Sequence, residues 1–356
     1  MPRLPIFSFA NPASSARKAL GLSLILWLTG TVVLAAEVKD LFEAAVVVPD
    51  RSEAALNSGA SAALAGVLVK LSGQRDAPRQ QGAANMLRQA RQWMLQYRFE
   101  DDPATGDLNL IAAFDEAAVR DAMRAAGMPV WGSQRPDTLV WLIVDSASGR
   151  TILGGQEISA VRDALMHGSS KRGIPVLLPL VDIEESAHLT HAGDWSGLLT
   201  AALALSDRYG TSSTLVGHAR QILPELWETE WSLRIGSEQF NWREEGSLIE
   251  LLVEDSMDRL GDALASRYAN PEVLSRTERL VISISGISSG DNYARVQQHL
   301  EGLDIVQDLF VRSLDRRTLA VELTALGGLS ALTEAISFGR VLRPDENQPL
   351  NFSLVP

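Results

Sequence analysis

Leu139-Val-Trp-Leu-Ile-Val144 is apolar at every position. Successive side chains of a strand point to opposite faces, so a strand with one wet face alternates and a strand covered on both faces does not. This run is therefore expected at the centre of a sheet, with cover on both sides.

The surrounding pattern divides the chain into three small α/β modules, an α+β sandwich-type architecture. The first spans 36–150. Leu41–Val48 reads as a strand, and Asp50-Arg-Ser-Glu53 has capping-box spacing. The helix that follows brings Leu56, Ala60, Leu64, Val67, Leu68 and Leu71 to one side and stops at Gly73. A helix over Ala83–Met94, strands over Leu95–Phe99 and Leu108–Phe114, and a helix capped by Asp115 complete it before the apolar run. The second module spans 170–271. It reads as a strand over Ile174–Val181, a helix over Leu198–Tyr209, strand signals from Leu215 to Leu233, a partner strand over Glu238–Arg243 and a helix over Leu248–Tyr268. Alternation places Trp227, Thr229, Trp231 and Leu233 on one face, with Phe240 and Trp242 as cross-strand partners. The third module spans 278–344 in the order β-α-β-β-α-β, the ferredoxin-like pattern. Residues 345–356 read as a loose tail.

The amino terminus names a compartment. Arg3, Arg17 and Lys18 precede an uncharged apolar run from Ala19, and Val33-Leu34-Ala35 has the small-residue pattern of a processing site. Residues 1–35 read as a secretory signal cleaved between Ala35 and Ala36, which places the mature protein in the periplasm. Retention of the segment, giving an inner-membrane tether facing the periplasm, is the competing reading. With no cysteine there is no lipid anchor and no disulfide. No later segment reads as long and apolar enough to span a bilayer. The whole chain carries a formal charge of −12, and the first 35 residues hold three basic groups and no acid, so the remainder stands near −15. That balance argues against nucleic acid, whose binding needs clustered Lys and Arg.

Three motifs invite a chemical reading. Gly286-Ile-Ser-Ser-Gly290 matches the nucleophile-elbow pattern, with Ser288 as nucleophile. The acid and base must follow it in the chain, and the one later histidine, His299, lies on the next helix. The segment reads instead as a glycine-permitted turn. Asp182–Asp194 clusters four acids with His188 and His191, weak candidates for a metal; Thr190 and Gly193 make it read as a loop. His167 and His218 show no sequence partner. Trp227, Trp231, Phe240 and Trp242 fit core packing better than an exposed platform for a glycan. No catalytic residue, cofactor or metal site is expected, and no binding surface is assigned.

Leu41–Pro49, Leu64–Gly73, Arg135-Pro-Asp-Thr-Leu-Val-Trp-Leu142, Gly173-Ile-Pro-Val-Leu-Leu-Pro179 and Val216-Gly-His-Ala together resemble a secreted proteobacterial family, domain of unknown function 2066 (DUF2066). The second module is similar in element order to the amino-terminal domain of TolB and to lipoprotein activators of penicillin-binding proteins. The resemblance implies a non-catalytic accessory that binds or scaffolds envelope proteins. An envelope hydrolase or metal-dependent enzyme, and a periplasmic protein that binds a small ligand or glycan, are the alternatives.

Overall fold

In the computed structural model the described residues are 40–103, 105–269, 276–338, 341–345 and 347–355. The secretory signal and its Ala35-Ala36 junction lie outside them. Three sheets and ten α-helices occur among the described residues, in a mixed α/β arrangement.

The first sheet holds β1 (Glu43–Val47), β2 (Met94–Asp101) and β3 (Leu108–Phe114), antiparallel in the order β1-β3-β2. Helix α1 (Glu53–Ser72) lies on it, with α2 (Ala83–Arg88), α3 (Ala90–Trp93) and α4 (Glu116–Ala125) around the same core. Leu64, Val67, Leu68 and Leu71 of α1 meet Phe114 and Met123 there. The cap differs from the expected box. Ser52 is the N-cap and accepts from the Ala55 amide, while Asp50 accepts from the Ser52 amide at 2.8 Å. Gly73 ends α1 at φ 69°, and a Cβ there would lie 2.4 Å from that of Ala265. A glycine satisfies both constraints. Helix α1 is also long and apolar enough to cross a membrane, against the sequence reading; half of it is buried against its own sheet. Alanine and glycine raise its apolarity without the bulk that stands out in a sequence.

The second sheet corrects the boundary at residue 150. It contains β4 (Thr138–Ser146), β5 (Gly149–Ile152), β6 (Val176–Leu177), β7 (Ser213–Leu223), β8 (Leu226–Ile235) and β9 (Glu238–Gly246). The order is β5-β4-β7-β8-β9, with β6 also on β4. The apolar run is β4, and it pairs in parallel with β7 rather than with the first sheet. The reason is cover. Val140 and Leu142 pack under α5 (Ala160–Arg172) and α8 (Ile249–Tyr268), while Leu139, Trp141 and Ile143 pack under α6 (Ile183–His191) and α7 (Trp195–Ser206). All four helices follow β4 in the chain, so it folds with what comes after it. The expected strand Ile174–Val181 shrinks to two residues. Pro175 and Pro179 remove amide donors, and Val181 sits at φ 54°, a conformation hostile to a β-branched residue.

The third sheet is built from β10 (Thr277–Ser285), β11 (Val306–Asp315), β12 (Thr318–Leu326), β13 (Leu342–Pro344) and β14 (Asn351–Leu354), with α9 (Gly290–Glu301) and α10 (Gly328–Phe338). Its order is β11-β12-β10-β14-β13. The expected loose tail is thus corrected: β14 inserts between β10 and β13, parallel to β10. Alternation in Asn351-Phe-Ser-Leu354 turns Phe352 into the core beside Ile284.

All three sheets lie in one compact unit. Two buried guanidinium groups join the first to the second. Arg135 donates to the carbonyls of Lys70 (2.6 Å), Trp131 (3.2 Å), Gly132 (2.9 Å), Arg172 (3.0 Å) and Gly173 (2.9 Å). Arg172 donates to the Gly73 carbonyl (2.8 Å) and to the Asp258 and Asp262 carboxylates of α8. The ends of α1 and α5 carry negative dipole charge, so both helices offer carbonyls to the same cations.

Candidate functional site

The metal candidates are not in a loop. Asp182 caps α6 through a capping box with Glu185, and Asp194 caps α7. Three of the four acids that suggested a cluster, Asp182, Glu185 and Asp194, therefore serve helix caps. His188 and His191 lie near the end of α6, each donating its Nδ1 hydrogen to a carbonyl four residues back, Glu184 at 2.8 Å and Ala187 at 2.6 Å. Among the described residues no three metal-capable side chains converge.

Ser288 accepts from the Asn292 side chain at 3.3 Å, and its neighbour Ser289 caps α9. Gly286 takes φ 94°, as the glycine-permitted turn requires. His299 sits on α9, its Nε2 buried without a hydrogen-bond partner among the described residues. Burial pushes its pKa down to about 4, with Arg295 adding to the effect. The tryptophan pair is core: Trp231 and Trp242 stack at 6.3 Å, and Trp231 lies directly over Gly217.

His218 has the partner that the sequence did not reveal. Its Nε2 is 2.8 Å from Asp145 Oδ2, and an ionised carboxylate only accepts, so Nε2 carries the hydrogen. The paired strands β4 and β7 set Asp145 and His218 two registers apart on the face that carries Ile143 and Val216. Arg150 closes a fork on the same carboxylate, with both contacts at 2.7 Å, and donates onward to the Ala192 carbonyl. That fork, with help from His218, holds the Asp145 carboxyl down to about 2. Burial lowers the His218 pKa more than Asp145 raises it, so the imidazole is neutral at neutral pH. Trp195 of α7 stacks on the ring. The cluster anchors α6 and α7 to the sheet with a single titratable ring inside it.

A concavity lies where the connector after α4, the end of α8, the turn between α9 and β11, and α10 meet. Its volume is about 170 Å³. Trp131, Tyr268, Leu303, Ile305, Ala331, Ala335 and Phe338 form apolar walls, and Gln134, Arg267, Asp304, Ser330 and Glu334 supply polar atoms. Tyr268 meets Phe338 edge-on at 5.0 Å. Arg135 covers Trp131, its guanidinium carbon 4.2 Å from the ring centre. Arg267 is shared by Glu238 (2.7 Å) and Glu334 (3.0 Å). Burial raises the Glu334 pKa and pushes the Tyr268 hydroxyl up to about 12. Asp304 accepts from the Ser133 amide at 2.7 Å and pairs with Arg120 of α4. The sequence marks none of these residues as a site, because they come from four separated segments without a shared motif.

Residues 35–132 match the model of a domain of unknown function, DUF8605. That finding replaces the resemblance to family 2066, whose motifs were moderately specific and carried no chemistry. The match ends within the connector that precedes β4. No curated protein matches the chain. Similar solved structures include a competence-damaged protein (CinA) superfamily protein from Enterobacter cloacae. It has 14% sequence identity and a TM-score of 0.21, covering 36% of this chain and 82% of that one. A formyltetrahydrofolate deformylase from Pseudomonas putida KT2440 is similar over 56% of this chain and 93% of its own, at 12% identity and a TM-score of 0.16.

Proposed function

We propose that this chain is an exported, non-catalytic binding or scaffolding protein that works in the periplasm with envelope proteins as partners. The amino-terminal pattern of positive flank, apolar run and small-residue junction supports export, with Ala36 as the first mature residue. In the same reading the second sheet and its helices form a TolB-N-like module. The third is ferredoxin-like with one added strand.

The observation that carries the binding assignment is the junction cleft. It is concave and largely apolar, with a few convergent polar atoms, as binding sites commonly are. Arg135 and Arg172 fix two of its sides, the connector and α8, so half of the site sits on a rigid frame. Crosslinking in intact cells, followed by capture of the chain, is expected to recover envelope proteins that depend on the cleft residues Arg267 and Glu334. Mass spectrometry of the native amino terminus is expected to find Ala36 first. Failure to recover any partner, together with turnover of an envelope substrate by the pure protein, would sink the proposal. Intact Met1 or Pro2 would replace the free periplasmic protein with a tethered one.

One observation favours an enzymatic alternative: the neutral, buried His218 held by Asp145. A hydrolase built on that pair would lose its activity on His218→Ala, with its fold preserved by the remaining Asp145–Arg150 fork. A cellular phenotype untouched by that change removes the alternative.

A further inference from the structure

We propose that the junction cleft takes a single uncharged aromatic ring carrying a hydroxyl group, a phenol-like ligand. This inference rests on the binding reading above and names the chemistry of its ligand.

Size comes first. A cavity of about 150 Å³ lined by apolar side chains holds one benzene ring, and this cleft has about 170 Å³. That volume matches one ring. Wall chemistry comes next. Trp131, Tyr268 and Phe338 offer aromatic faces and edges, which favour offset or edge-on contact with another aromatic ring.

Charge excludes the ionic alternatives. Arg267 already serves Glu238 and Glu334, and Asp304 already serves Arg120 and the Ser133 amide. A charged ligand would have to break one of these pairings, or add an unmatched charge to a partly desolvated site. A neutral ligand leaves them intact.

The polar atoms of the cleft sit at one side of it. Gln134 and Ser330 line it, and neither side chain has a partner among the described residues. Ser330 is exposed, so the two groups can donate to and accept from a hydroxyl at the mouth while the ring lies inward. A sugar carries hydroxyls around its whole ring, and those turned toward Trp131, Leu303 and Ile305 would meet apolar walls without a partner.

The test uses the mature protein and four probes: p-cresol, toluene, benzoate and N-acetylglucosamine. Isothermal titration with p-cresol is expected to give one site per chain, with quenching of tryptophan emission. Toluene should bind at least several-fold more weakly, because Gln134 and Ser330 lose their partner. Benzoate and N-acetylglucosamine should not compete. Ala335→Phe fills the cleft from α10 and should weaken p-cresol at least tenfold while leaving the thermal transition in place. If Ala335→Phe fails to fold, Gln134→Leu with Ser330→Ala supplies the second test: p-cresol should then bind no better than toluene. Absence of p-cresol binding through the millimolar range overturns the assignment, as does binding that ignores both variants. Binding of N-acetylglucosamine or benzoate that Ala335→Phe abolishes would overturn the phenol assignment and leave the binding reading standing. Loss of both the phenol and the crosslinked partners would remove both.

Discussion

Replacing Arg135 with Met should be among the most damaging single changes outside the hydrophobic cores. The Arg135 residue is 3% exposed and donates to five backbone carbonyls. Its stack on Trp131 adds a sixth contact. A buried charge normally makes an isosteric apolar replacement cheap, because desolvation of the charge is relieved. Burial, with Arg172 and Arg120 nearby, does push the Arg135 guanidinium down to about 9, so that relief is real. The group remains protonated at neutral pH. The opposing effect is larger. Five carbonyls lose their donor, and three of them, Lys70, Arg172 and Gly173, lie at the ends of α1 and α5. Orphaned buried acceptors cost about 1–3 kcal/mol each when taken singly. Water entry, shared geometry and the relieved charge reduce the sum, and loss of one member of a buried charge-assisted network typically costs about 3–5 kcal/mol. Arg135→Met is therefore expected to lose about 4 kcal/mol. Arg135→Lys keeps the charge but not the fork and should lose roughly half of that. Urea unfolding followed by tryptophan emission measures both. The reasoning fails if Arg135→Met unfolds within about 0.5 kcal/mol of the parent, the range of an ordinary surface substitution, or if Lys is worse than Met.

Three further outcomes follow from the same packing. His299 has its pKa pushed from 6.5 to about 4, so between those values the unfolded chain binds a proton that the folded chain does not. Stability should fall as pH drops through that window, by about 1–2 kcal/mol after allowing for the ring's partial exposure; His299→Gln should flatten the fall in urea midpoints taken between neutral and acid pH. A Cβ on Gly217 would lie 2.2 Å from the Trp231 ring. Gly217→Ala should accordingly cost about 3 kcal/mol in thermal or urea unfolding, at the upper end of overpacking, whereas Gly193→Ala, with open space around it, should be close to neutral. Removing residues 350–356 uncovers the side of β10 that β14 pairs and deletes the buried Phe352. Loss of a buried Phe side chain alone is worth about 3–5 kcal/mol, so hydrogen exchange of β10 amides should accelerate and the first sheet should keep its protection.

What could be read from the chain alone follows the range over which the physics acts. Gly73, Asp115 and the apolar run at Leu139–Val144 were legible because a cap, a stop and a two-sided strand are written within a few residues. The membership of that strand was not. The partner that runs its full length, β7, begins at Ser213, and parallel pairing leaves no turn signal between partners. The tail misled for a related reason: β14 is four residues long, and its inward Phe352 becomes visible only beside Ile284. The histidines show the limit most clearly. His188 and His191 sit close together in sequence and turned out to serve the backbone of their own helix. His218 meets Asp145 across 73 residues. Arg135 presents the same difficulty in stronger form, because all its hydrogen-bond partners are backbone carbonyls and no residue type marks them. The junction cleft inherits that invisibility: a site framed by helix ends and a connector has no motif, and its chemistry is expressed only once the cations have closed the frame.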